Sequence, residues 1–448
     1  MSHRNAQGLE MSIASAEAAA AFDHLVEGFL KNRLDTPLRL KAVLALDPEA
    51  PLAVLMKGVF AMLSYKAAAV PAALAAADKA EALNPNPREA LYIAAVRAWA
   101  GLDWDRAIHI WEQVLAQYPR DILAFRLHHF CAFWLGRAPV MREVVERVMP
   151  AWGRDDPGYG SMLACRAFAA EECGDYVLAE HAGRAAVAMD PADLWAVHAV
   201  AHTLEMQGRR GEGVQWVESL RPHFGGTNNI RHHVEWHQAM YHLELGQHDR
   251  VLELYDTGFR DLGSEVTQMQ PDLYIDCQNA ASMLWRLQRQ GVDVGDRWVE
   301  IADKAEARIG DTLSGFTLPH WMMALTATGR EAAAARMLEA LREAARGNGP
   351  QAAILRDAAL PVCEAIALHA RGDAAGAVRR MLPALGTMHT LGGSYAQQDV
   401  LEQFFLVAAR DAGDDAAMRT LLERVSGRHP LPPARRAGYR DVAEKIAH

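Results

Sequence analysis

A chain of 448 residues that is 51% hydrophobic and 23% charged has ample apolar mass for a continuous core beneath an ordinary polar surface. Its formal net charge of -10 argues against general nucleic-acid binding, which needs a basic footprint. No run approaches the roughly 20 apolar residues of a membrane span, so no membrane association is expected. The start, Met1-Ser-His-Arg-Asn-Ala-Gln-Gly, lacks the basic-then-apolar pattern of a secretory signal, and a cytoplasmic location follows as the expectation. Cys131, Cys165, Cys173, Cys277 and Cys363 show no C-x-x-C spacing and read as buried thiols in a reducing compartment.

In chain order, residues 1–12 read as a frayed, flexible start, and 13–448 as one continuous helical-repeat domain. An Ala-rich amphipathic pattern predicts a helix from Ile13 to about Asn32, carrying Phe22, Leu25, Val26 and Phe29. Leu38–Leu46, Leu52–Tyr65 and Val70–Leu83 follow, each closed by Pro, Asn or Gly. Sustained period-2 alternation is missing, so essentially no strand is expected.

From Gly101 a repeat becomes visible. Turn glycines at 101, 136, 174, 208 and 246 are spaced by 35, 38, 34 and 38 residues, close to the tetratricopeptide period of about 34. The physical unit is an antiparallel helix pair that buries its apolar face only by stacking on neighbours. Pro87–Pro119 is the clearest unit, with its turn at Gly101-Leu-Asp-Trp104. Spacings then lengthen to 45, 38, 43 and 41 residues through Gly291, Gly329, Gly372 and Gly413, so the repeats are degenerate in the C-terminal half. A glycine-rich loop, Thr387–Ser394, precedes a helix at Tyr395–Ala409, and a capping helix is predicted over Ala434–Ile446. The fold class is all-α: an α-α superhelix of tetratricopeptide-like hairpins curled around a central cavity.

Within this scaffold one stretch carries unusual chemistry. In Trp195-Ala-Val-His198-Ala-Val-Ala-His202-Thr-Leu-Glu205, the two histidines and the glutamate share one helical face, beside an apolar stripe of Leu194, Val197, Ala201 and Leu204. His232-His233-Val-Glu-Trp236-His237 repeats the device, with His233, His237 and Met240 on a face flanked by Trp236 and Tyr241. Faces like these are costly to bury unless they satisfy one another, a ligand or a metal. Eleven of the 19 histidines fall between His128 and His248, where even spacing would put about five.

Several of these segments, taken in order along the chain, resemble the tetratricopeptide repeat protein 38 family. They are Arg88-Glu-Ala-Leu-Tyr-Ile-Ala-Ala-Val96, Trp111-Glu-Gln-Val-Leu, Trp195–Met206, Trp236-His-Gln-Ala-Met-Tyr241, Ser282-Met-Leu-Trp-Arg-Leu-Gln288 and Leu391–Val400. The resemblance implies an α-helical repeat fold, and it transfers no reaction. His129, His198, His202, Glu205, His233, His237, Asp276, His320, Gln397 and Asp399 match the family's polar positions. Gln398 departs from the basic residue expected beside them, which weakens the case for an anionic ligand at that loop.

Two functional readings follow. In the first, a concave groove binds a small polar molecule or a peptide through His129, Trp195, His233, Trp236, Tyr241, Asn279, His320, Ser394, Gln397 and Asp399. In the second, the chain is an enzyme of hydrolase or lyase type. There His198, His202, Glu205, His237 and Asp276 serve as acid/base groups or as ligands of a divalent metal such as zinc. Position 199 is Ala, so the first pair is no H-E-x-x-H motif, and no cofactor is required by the sequence. Ser394, Gln397 and Asp399 either cap a helix or point into the groove. The groove candidates are His, Glu, Asp and Trp rather than Lys, Arg and Asn, which tilts the first reading towards a small molecule. A monomer or a homodimer fits either reading.

Overall fold

The computed structural model describes residues 3–447, and among them the chain is an all-α helical repeat, built almost wholly of helices. Packing divides it into two compact units, residues 1–200 with 220–231, and residues 201–219 with 232–448. The boundary falls inside a helix, where no linker composition could mark it.

The first unit begins with a two-residue antiparallel pair, β1 (His3–Arg4) and β2 (Glu10–Met11), where the sequence suggested a frayed start. Just beyond it, the Ser12 amide donates to Glu89 at 2.9 Å and the Ala14 amide to Asp47 at 2.7 Å. The helices are α1 (Ala16–Leu30), α2 (Thr36–Leu46), α3 (Pro51–Leu63), α4 (Val70–Glu81), α5 (Pro87–Ala100), α6 (Trp104–Gln117), α7 (Ile122–Phe133), α8 (Ala138–Val148), α9 (Tyr159–Glu172) and α10 (Tyr176–Met189). Consecutive members pack as hairpins, α1 on α2, α3 on α4, α5 on α6 and α9 on α10.

Local chemistry sets the boundaries. α5 opens with a capping box: Asn86 accepts from the Glu89 amide while Glu89 reaches back to the Asn86 amide, and Pro87 occupies the first turn. α2 begins two residues before the predicted Leu38 because Pro37 sits in its first turn, where a missing N–H costs nothing. Asp121, the N-cap of α7, is buried against the Arg88 guanidinium at 2.7 Å and accepts from the Tyr92 hydroxyl at 2.5 Å. That ties α5 to the start of α7.

Shared between the units is α11 (Leu194–Met206), followed by α12 (Arg210–Leu220) and α13 (Ile230–Glu244). The second unit continues with α14 (His248–Leu254), α15 (Glu265–Met269), α16 (Tyr274–Arg289), α17 (Arg297–Ala307), α18 (Thr317–Ala327), α19 (Glu331–Ala345), α20 (Pro350–Ile354), α21 (Leu360–Ala370), α22 (Ala374–Met381), α23 (Tyr395–Asp411), α24 (Asp415–Arg428) and α25 (Arg440–Ala447). π-helical turns at Tyr255–Phe259 and Leu355–Ala359 interrupt the regular hairpins, in the half that the glycine spacing marks as degenerate.

The capping helix predicted over Ala434–Ile446 is in fact broken. A short turn at Pro433–Arg435 is followed by α25 only from Arg440. A Cβ at Gly438 would lie 2.3 Å from the Gln403 side chain, so the chain passes α23 too closely for a helix that carries side chains there. Among the described residues the cysteines form no disulfide, and all but the half-buried Cys173 are buried. No helix among them is long and apolar enough to cross a membrane.

Candidate functional site

The second unit holds the C-terminal half of α11 and nearly all of α13, and those two segments bring three histidines together. On α11, His202 and Glu205 are three residues apart and share a face, while Ala201 and Leu204 are wholly buried. On α13, His233 and His237 are four apart and face the same way. The His202 and His237 ring centroids lie 4.3 Å apart, and those of His233 and His237 4.9 Å apart. One ring nitrogen from each of His202, His233 and His237 comes within 4.8 Å of the other two.

Two of the rings are oriented from outside the cluster. His237 Nδ1 lies 2.5 Å from Glu205 Oε2, and His233 Nδ1 lies 3.0 Å from the Asn279 side-chain amide on α16. The His233 ring stacks on Trp236 with centroids 5.4 Å apart and an interplanar angle of 7°, and the Arg286 guanidinium lies 5.9 Å from the Trp236 ring. Burial, with the neighbouring His237 next, holds His202 and His233 well below the ordinary imidazole pKa. These two rings are therefore neutral near pH 7, the form that accepts a proton or ligates a metal.

Glu205 also borders a cleft. Its side chain keeps 14% exposure, and it lines an opening shared with Arg210, Glu244, Asp399, Arg428 and Arg436. The cleft encloses a cavity of about 40 Å³. The walls are already ion-paired: Arg210 with Glu244 at 2.7 Å, Arg428 with Glu402 at 3.1 Å, and Arg436 with Asp399. The Arg428 guanidinium also lies 4.4 Å from the Tyr395 ring.

The other candidates each have partners of their own. Asp276 pairs with His232 rather than with the cluster, Nδ1 to Oδ2 at 2.9 Å, and both are buried. Asp399 is a charge hub on α23. It meets Arg286 at 3.5 Å and Arg436, and it accepts from the Tyr439 hydroxyl at 2.5 Å and from Gln403 at 2.6 Å. Although burial opposes ionisation, the guanidiniums of Arg436 and Arg286 hold its pKa at about 2. Ser394 and Gln397 form the capping box of α23, the Gln397 amide donating to Ser394 Oγ at 3.2 Å. The Gln398 amide donates to the Gly392 carbonyl at 3.0 Å, binding the glycine-rich loop where a basic residue was expected. His320 Nδ1 bonds the Phe316 carbonyl one turn back at 2.8 Å. The Tyr241 hydroxyl donates to the Ala201 carbonyl at 2.6 Å while its side chain lines the cleft, and Trp236 is fully buried.

His129, Trp195 and His198 belong to the first unit. There Trp195 packs on His198 at 4.8 Å and on Phe168 at 5.0 Å, with the Arg126 guanidinium 4.1 Å from its ring. His129 meets Trp195 edge-on at 6.3 Å, and burial holds its pKa well below the ordinary value.

Sequence reasoning passed over Arg286, Arg210, Arg428 and Arg436, and gave His232 no role. Arg286 was within reach: it lies seven residues after Asn279 on α16, on the same face. The others become visible only when α12, α24 and the C-terminal turn meet.

No protein-family model matches the chain. Among solved structures it is similar to yeast Tom70, at 11% identity over 96% of each chain with a TM-score of 0.39. It is also similar to human IFIT1 dimer with PPP-AAAA, at 13% identity over 92% of this chain and 95% of that one, with a TM-score of 0.44. The P58(IPK) TPR domain aligns over 65% of this chain and 82% of its own, at 16% identity and a TM-score of 0.19. Likeness this distant carries no argument about what the present chain binds.

Proposed function

We propose that this chain is a tetratricopeptide-like repeat protein, of the kind its motif segments resemble in the tetratricopeptide repeat protein 38 family. Its second unit binds a small polar molecule in the cleft between Glu205 and Arg428. The observation that carries the reading is the double duty of Glu205, which holds His237 Nδ1 at 2.5 Å while bordering the cleft. A carboxylate so placed couples any ligand it meets to a set of buried imidazoles.

The room within supports a small ligand over a peptide. A cavity of about 40 Å³ suits a few non-hydrogen atoms, whereas an extended peptide needs a long groove with repeated backbone contacts. Both charge signs line the walls, which favours a ligand carrying an acidic and a basic group, or several hydroxyls.

A thermal-shift panel tests this, with amino acids, hydroxy acids and polyols set against peptides of six or more residues. A ligand held at 100 times its dissociation constant stabilises the folded form by about 2.7 kcal/mol, and Arg428→Ala is expected to abolish that gain. Stabilisation by the peptides alone, or a gain indifferent to both Arg428→Ala and Glu205→Gln, would overturn the reading.

A further inference from the structure

We propose that His202, His233 and His237 bind one divalent transition-metal ion of the zinc class. The inference goes beyond the cleft ligand and does not depend on it, although Glu205 serves both.

Geometry makes the case. Three buried imidazoles present ring nitrogens that all lie within 4.8 Å of one another. Ligand nitrogens about 2.0–2.1 Å from a single tetrahedral zinc sit about 3.3 Å apart, so small ring rotations complete the shell. Two helices supply the set: α11 gives one ring, and the four-residue step on α13 aligns the other two. Stacked core histidines have no need to converge on one point, and these three do.

The surroundings match the outer shell that metal sites require, in which a ligating histidine is oriented through its other ring nitrogen by a carboxylate or an amide. Glu205 holds Nδ1 of His237, so Nε2, on the far side of the ring, is the ligating atom. The Asn279 amide nitrogen lies 3.0 Å from Nδ1 of His233. Turning that amide about its Cβ–Cγ bond would set its oxygen against an Nδ1–H and make Nε2 the ligating atom. An all-imidazole set suits zinc, copper, iron or nickel and is foreign to calcium and magnesium, which take oxygen ligands.

The test titrates the metal-stripped full-length protein with Co²⁺ alone, reading the d–d absorption of tetrahedral cobalt, and then displaces it with Zn²⁺. One equivalent per chain is expected. The signal should vanish in His202→Ala, His233→Ala and His237→Ala while surviving in His109→Ala, a surface control. Glu205→Gln, which removes a positioning residue, should weaken cobalt binding by tenfold or more with the tetrahedral spectrum retained. Because a core variant can fail to fold, X-ray absorption on the cobalt-loaded wild type counts the imidazoles directly. Three or more support the proposal and fewer overturn it. Binding of less than a tenth of an equivalent, or binding that survives all three histidine variants, also overturns it. Arg428→Ala separates the two proposals, since it should abolish binding of the small molecule and leave cobalt untouched.

Discussion

At the scale of single residues, the histidines in this chain divide by what their second nitrogen meets. His320 Nδ1 bonds a backbone carbonyl, and burial, the largest influence, holds its pKa at about 4 against an ordinary 6.5. Its neutral form is thus favoured in the native state. Between those values the unfolded chain binds more protons than the folded one, so stability rises with pH through the window and is lost as pH falls through it. The loss amounts to about 3 kcal/mol. Denaturant titrations from pH 7 to pH 4 should show His320→Asn with a shallower acid-side decline than wild type. Equal slopes would remove His320 as the source.

Asp399 makes the complementary case. With its pKa held at about 2 it stays ionised across the working range, facing Arg286 and Arg436. Asp399→Asn leaves those guanidiniums buried without their counter-charge, and a loss of about 3–5 kcal/mol is expected in a denaturant melt. A loss under about 1 kcal/mol would show that water reaches the hub. From sequence, Asp399 stood as a binding residue. Its short spacing from Ser394 and Gln397 was legible, and the capping box duly formed. Gln403, four residues on along α23, was within reach of the helical spacing, but Arg286, Arg436 and Tyr439 come from α16 and the C-terminal turn and were not legible.

At the scale of elements, periodicity carried most of the information. The three-and-four spacing that put His202 beside Glu205 on α11, and His233 beside His237 on α13, is intrinsic to a helix and needed no structure. Which face met which neighbour did need one. Asp276, on the same α16 face as Asn279, was expected at the main cluster and instead reached His232, whereas Asn279 reached His233. One helical turn of offset between α13 and α16 decides such pairings, and composition cannot encode it.

Close helix approach gives a sharp test on α12. A Cβ at Gly213 would lie 2.4 Å from Cζ of Tyr241, whose hydroxyl is committed to the Ala201 carbonyl. At Gly211, two residues earlier, a Cβ meets nothing within 4 Å. The same substitution should therefore act in opposite directions. Gly213→Ala should cost about 1–3 kcal/mol by overpacking, and Gly211→Ala should gain up to about 1 kcal/mol in helix propensity. Thermal melts of the two variants decide it, and a neutral Gly213→Ala would mean that Tyr241 can move aside.

At the scale of the whole chain, the recurring glycines revealed the repeat and its loss of regularity towards the C-terminus. The partition into two units was hidden, because it passes through α11 with no Pro, Gly or Ser-rich stretch to betray it. Trp195 and His198 fall in the first unit, while His202, Glu205, His233 and His237 fall in the second. The central claim is that a small polar ligand occupies the second unit's cleft beside those imidazoles. A crystal structure of the full-length protein with the strongest binder from the thermal-shift panel tests it most directly. Ligand density contacting Glu205 and Arg428, with His237 still held by Glu205, is the predicted result. Density elsewhere on the chain, with the Arg210–Glu244 and Arg428–Glu402 pairs closed across an unchanged cleft, would contradict it.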